Sequence, residues 1–354
     1  MRLEQLTFTR FIAAFIVVVF HYGKEIFPFN TPYLQPFISS VVVSYFFVLS
    51  GFVLTISYYN RRNNLSTKQF FIKRIARFYP VYFLGIALMV YYSLLFYEPS
   101  SVSLFSLGIN LLALQSWLPL QAQTINYPGW AMSVEVFLYL VFPYFITKIV
   151  AVWRQAYTIS LVGIFWVLNQ LIMWWIPKNF NVNNTGRTHD FFYYYPLNHL
   201  NTFLIGCAAA LLFMYLKNSN YFKKRKNTDL LVVTAVFTLA VFLTSGISAL
   251  AYHNGLLAPL YALIIISLSL NEKGFITKIF KNKDLIRLGS LSLSIYLLQA
   301  PVFNYAEKIK SLAWPSMHSG LFFYLTFAIL LAVSFLITEY YEKPLQQKIL
   351  NRYL

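Results

Sequence analysis

Charge is what this sequence has least of. Asp, Glu, Lys and Arg together supply 11% of its 354 residues, under half of the roughly 25% usual in soluble domains. Apolar residues reach 58%. So few charges cannot solvate the surface of a chain this long, which excludes an ordinary soluble enzyme. Cysteine is scarcer still. Cys207 stands alone inside an apolar run, so neither a disulfide scaffold nor a ligand-spaced Cys/His metal site is expected. Acidic residues number 11 against 28 Lys and Arg, a net charge of +17. That excess does not describe a nucleic-acid surface, because the basic residues fall in short segments between apolar runs.

What is present is a succession of apolar runs, each near the ~20 residues needed to cross a bilayer. They cover 5–23, 37–59, 79–97, 130–147, 157–176, 196–216, 229–246, 250–270, 286–305 and 320–338. The first does not read as a signal peptide: Glu4 lies at its start, and no small-residue cleavage site precedes His21. An eleventh run, 104–118, is shorter and interrupted by Gly108, Asn110, Gln115 and Ser116. The segment 60–78 carries six Lys and Arg, and 217–228 carries five. Both are predicted cytoplasmic by the positive-inside rule, so an even number of crossings separates them. The run 104–118 is therefore expected to be re-entrant or interfacial. The expected fold is an all-α polytopic membrane protein with ten transmembrane helices in the plasma (inner) membrane, both termini cytoplasmic. Of the 28 Lys and Arg, Lys24, Lys178, Arg187, Lys308 and Lys310 alone then face outward. Residues 1–354 read as one integral-membrane domain with no appended extracytoplasmic domain.

Ionisable residues inside spans are costly in hydrocarbon and so are candidates for function. Arg10 and His21 lie eleven positions apart, ~16 Å of helical rise and within ~20° of three whole turns. Singly, Arg10 is a side chain that snorkels to lipid phosphate and His21 an interfacial histidine; together they face one path along a helix. Ser50-Gly51 interrupts the bulky run 46–52, which suits either close helix packing or passage of a thin acyl chain. Lys73, Arg74 and Arg77 precede Tyr79 at the mouth of the third span. Such a run orients a helix, but Arg74 and Arg77 share a face at i, i+3 and can hold phosphates bidentately. Trp130 reads as an interfacial anchor. Glu135, one to two turns inside an apolar helix, has no packing explanation. By topology it falls on the outer half with His21, where a carboxylate would hold one imidazole tautomer for general-base work. Asn198 and His199 open the 196–216 span and either line the same outer cavity or simply mark the interface. His189, His253 and His318 carry no expected role.

In order along the chain, Arg10 with His21, Phe46-Phe47-Val48-Leu49-Ser50-Gly51-Phe52, Arg74-Ile75-Ala76-Arg77-Phe78-Tyr79-Pro80 and Trp130 five residues before Glu135 resemble the acyltransferase-3 family of membrane-bound carbohydrate O-acyltransferases. Further matches lie at 196–206, at 292–297 and at Glu342-Lys343-Pro344. The resemblance implies a ten-helix bundle that moves an acyl group, acetyl foremost, from cytoplasmic acyl-CoA to a hydroxyl of a surface or lipid-linked carbohydrate. On that analogy Arg10, Arg74 and Arg77, with Lys73 beside them, take the donor side, and His21 and Glu135 the catalytic region. Ser50, Gly51, Tyr79, Trp130, Ser133, Asn198, His199 and Gln299 would line the substrate path. Two positions depart from the pattern: Ala131 stands where serine is usual, and Gln299 where a histidine commonly follows Tyr-Leu. The implied partners are acetyl-CoA or another acyl-CoA as donor substrate, a carbohydrate acceptor and membrane lipids, with no permanently bound cofactor and no metal. The rival reading is a transporter or flippase for a lipid-linked saccharide, which intramembrane His and Glu would also suit. Against it, no inverted repeat is visible and the ionisable residues sit at opposite ends of one helix rather than at the midplane.

Overall fold

In hydrocarbon a backbone without water must satisfy its own N–H and C=O groups, and an apolar run does so by coiling into a helix. A computed structural model describes residues 3–97, 102–180, 186–218, 228–245, 249–271 and 273–354, and among them there is helix and loop but no strand. In chain order the helices are α1 (Gln5–Gly23), α2 (Val43–Tyr58), α3 (Thr67–Phe96), α4 (Leu104–Leu111), α5 (Trp130–Tyr144), α6 (Gln155–Asn179) and α7 (Arg187–Tyr194). They continue with α8 (Leu200–Asn218), α9 (Asp229–Leu243), α10 (Ala258–Leu270), α11 (Lys283–Ser290), α12 (Ser292–Ala313), α13 (Ser319–Ile337) and α14 (Lys343–Tyr353).

Among the described residues seven segments are long and apolar enough to cross a membrane, and α11 with α12, bent by 52° at their junction, would make an eighth. The ten expected spans are reached only if α9 and α10 cross as well, and these have 15 and 13 residues. For α10 the shortness has a local cause. The run 250–270 is apolar on average, yet Asn254 and Gly255 within it leave helical geometry, with Gly255 at φ 96°. The helix restarts only at Ala258. A second difference lies at α3: the basic segment expected as a loop is helical from Thr67, capped by the Ser66 hydroxyl accepting from Gln69 N. Arg74 and Arg77 therefore sit on the transmembrane helix itself.

The run 104–118 yields the eight-residue α4, about 12 Å of rise against a ~30 Å hydrocarbon core, then a single 3-10 turn at Gln115–Trp117. Its polar residues fold it back on its neighbours. Tyr82 OH donates to Asn110 O at 2.6 Å, Asn110 Nδ2 to Thr124 Oγ1 at 2.9 Å, and Gln115 Nε2 to Gly129 O at 2.8 Å.

Helices α2 and α8 meet where neither has a side chain. A Cβ at Gly51 would collide with Phe203 O, and one at Gly206 with Val48 O. Gly206→Val is accordingly expected to cost about 1–3 kcal/mol or more through overpacking, read as a lower melting temperature of detergent-solubilised protein. Unchanged melting would place the two backbones farther apart than described.

Candidate active site

The i, i+3 spacing of Arg74 and Arg77 puts both guanidiniums on one face of α3. That face looks into a cavity, which Arg10 of α1, Ser50 of α2 and Glu135 of α5 also line. A second cavity beside Leu3, Leu6, Thr7 and Ser57 shares Arg10 and Arg77 with it. The two arginines thus stand between a vestibule at one end of the bundle and the inner chamber.

Three cations in one apolar chamber need a counter-charge. Among the described residues none of the three makes an ion pair. Arg74 Nε is buried without a hydrogen-bond partner, and its Cζ lies 5.8 Å from the Phe70 ring centroid. Glu135, the nearby acid, is engaged elsewhere: Oε1 accepts from Ser50 Oγ at 3.2 Å and from Tyr139 OH. The cavity thus sets three guanidiniums, the group that can bind phosphate bidentately, against one carboxylate.

The family model described as an acyltransferase domain, that of acyltransferase-3, matches residues 3–339. The chain belongs to the acyltransferase-3 family. Similar proteins include the peptidoglycan O-acetyltransferase OatA of Listeria monocytogenes, 22% identical over 341 residues that cover 86% of this chain and 51% of the relative. The O-acetyltransferase OatA of Staphylococcus aureus is 23% identical over 284 residues, 75% of this chain and 46% of the relative. The acyltransferase MdmB of Streptomyces mycarofaciens is 36% identical over 156 residues, 40% of this chain and 38% of the relative. No solved structure matches. The chain spans about half the length, or less, of these relatives.

For an acyltransferase-3 protein the placement of His21 is the main departure from the sequence reading. His21 is half-buried and does not line the cavity. Its ring lies 4.7 Å from that of Tyr127 and 5.1 Å from that of Phe20, centroid to centroid. Helix register explains why it does not meet Glu135. Tyr127 precedes Glu135 by eight residues, about 12 Å of rise, while His21 follows Arg10 by about 16 Å. With His21 level with Tyr127, Glu135 falls near the level of Arg10, and the two do share one cavity. The expected histidine–carboxylate pair is replaced by a Ser50–Glu135–Tyr139 cluster beside the arginines.

The remaining expected lining residues stay outside the arginine-lined cavity. Gly51 serves the α2–α8 contact. Lys73 is turned about 100° from Arg74 around α3. Tyr79 OH donates to Leu111 O at 3.1 Å, and Ser133 Oγ accepts from Ser116 N at 3.3 Å, both fastening the 104–118 segment. Trp130 is 6% exposed and packs its ring 5.4 Å from those of His199 and His253. His199 Nε2 lies 3.0 Å from Tyr193 O, and Asn198 Nδ2 donates to Phe191 O at 2.7 Å. Gln299 is buried, with Nε2 donating to Tyr296 O at 2.8 Å.

Sequence reasoning gave no role to three groups. Tyr139 was legible as the i+4 neighbour of Glu135 on one helix face. Glu342, named in the Glu342-Lys343-Pro344 match but given no role, is a buried acid accepting from Ser294 Oγ at 3.1 Å and Thr338 Oγ1 at 3.3 Å. His253 had no signal, because its contact with Trp130 crosses more than a hundred residues.

Proposed function

We propose that this acyltransferase takes an acyl group from acyl-CoA at the cytoplasmic face and delivers it to a hydroxyl of a wall or lipid-linked carbohydrate outside. One observation carries the reading: three guanidiniums without ion pairs converge on a single chamber that opens toward one end of the bundle. Coenzyme A brings several phosphate charges, the ligand such a site favours. The basic segments favour the cytoplasm for that end under the positive-inside rule, with both termini inside if α9 and α10 complete ten crossings. The names of the relatives, O-acetyltransferase and peptidoglycan O-acetyltransferase, support an acetyl group and a wall polysaccharide.

The chamber is lined along α2 from Leu54 back to Val43, about 16 Å at helical rise, a path for an extended pantetheine arm. Glu135, positioned by Ser50 and Tyr139, accepts an amide N–H of that arm. His21, at the far end of α1, is the general base: it takes the proton of the acceptor hydroxyl as the oxygen attacks the thioester carbonyl. It then returns the proton to the departing CoA sulfur. Protein in lipid vesicles given acetyl-CoA and muropeptides should free CoA thiol. A flippase would move saccharide and free none, and that result would overturn the proposal.

A further inference from the structure

The chamber changes character along its length. Its charged lining residues are Arg10, Arg74, Arg77 and Glu135; Val43, Phe46, Phe47, Ala131, Met132 and Tyr296 carry no charge. Helical position orders them. Val43, Phe46 and Phe47 precede Ser50 on α2, and Ala131 and Met132 precede Glu135 by about one turn on α5, all toward the end where His21 meets Tyr127. Phe47 is 3% exposed, its ring 6.2 Å from Trp130 and 5.2 Å from His199. Phe46 lies 6.0 Å from the Tyr296 ring, and Met132 is 3% exposed. Rings backed by other buried rings make a wall, because a close-packed interior yields little to an added methylene.

We propose that this wall measures the acyl group: Phe47 and Met132 limit the donor to a short, uncharged acyl chain of two or three carbons. The inference rests on the acyl-CoA reading above and adds to it the residues that limit the acyl group. A longer chain must displace Phe47 from Trp130 and His199. A chain ending in a carboxylate, as in succinyl, must bury that charge about one turn beyond Ser50 and Glu135, against side chains that carry no charge of their own. Each methylene misfitted in an apolar pocket discriminates by about 10–200-fold.

The test is CoA-thiol release from acetyl-, propionyl-, butyryl- and succinyl-CoA in inverted membrane vesicles, which hold the cell's own saccharides, against vesicles lacking the protein. Acetyl-CoA should be used best, with butyryl- and succinyl-CoA slower by about tenfold or more. Phe47→Ala should raise the butyryl-to-acetyl ratio by about tenfold, with Met132→Ala moving it the same way. Ala131→Leu, which adds bulk and leaves Phe47 in place, should lower the propionyl-to-acetyl ratio. Succinyl-CoA matching acetyl-CoA, or ratios unchanged in the variants that fold, would overturn the ruler and leave the acyl-CoA reading standing. Release from none of the four donors by folded protein would remove both.

Discussion

Replacement of His21 by alanine is expected to lower acyl transfer by about 10²–10⁴-fold, the usual contribution of a positioned general base, while acyl-CoA still binds. The separation follows from position. His21 contacts Phe20, Tyr22 and Tyr127 and lies outside the arginine-lined chamber, so its removal leaves every candidate phosphate contact in place. The check is turnover in a CoA-release assay beside equilibrium binding of labelled CoA to the same preparation. Near-normal turnover would take His21 out of the reaction. The structure also separates His21 from Glu135. If Glu135 oriented the imidazole, Glu135→Gln would lower turnover with donor affinity unchanged. As a residue of the donor chamber, Glu135→Gln should instead raise the concentration of acyl-CoA needed for half-maximal rate.

Arg77→Ala should produce the largest change in donor binding. A charge-assisted hydrogen bond to phosphate is worth about 1.5–3 kcal/mol, so loss of one such contact should raise the acyl-CoA requirement about ten- to hundredfold. Arg77 and Arg10 each face both cavities, so either substitution also removes part of the boundary between vestibule and chamber. Arg74, whose Nε lacks a protein partner, should show a smaller loss of the same sign. Arg77→Lys keeps the charge but not the planar fork, and partial recovery by it would identify bidentate recognition. The measurement is the rate at graded acyl-CoA concentrations, with membrane insertion checked by yield. An unchanged requirement in all three alanine variants would return these arginines to orienting the helices.

How far the sequence carried the reading depends on whether a property lives on one helix or between two. Arg74 and Arg77 share a face because i, i+3 residues always do, and Arg10 and His21 stand about 16 Å apart wherever their helix goes. The first holds in the folded protein, where both arginines line one cavity; the second is altered at Val19–Gly23, where the helix widens to π geometry and His21 leaves the face of Arg10. Glu135 was legible as an acid without a packing purpose. Its partner was not, because topology assigns only a half of the bilayer, and a difference of one or two turns exchanges His21 for Arg10 as the nearer group. Ser50-Gly51 shows the same divide within two residues. On a helix, adjacent side chains point about 100° apart, so one serine faces the chamber while its glycine neighbour lies against Phe203. Composition alone could not assign the two roles.

Hydropathy likewise established that the chain is a helical membrane protein, since apolar length is a property of each run by itself. It did not reveal that Asn254 and Gly255 break one run, or that α3 begins at Thr67, because backbone geometry and capping are invisible to a window average. By itself, then, the amino-acid sequence determined the helical class, the phase of residues along regular α-helix such as Arg74 and Arg77, and which charged side chains lack a packing purpose. Which of those side chains meet was decided only by tertiary structure. The relative height and rotation of two helices depend on where backbones can approach, as Gly51 and Gly206 permit here, and that is a property of neither helix alone.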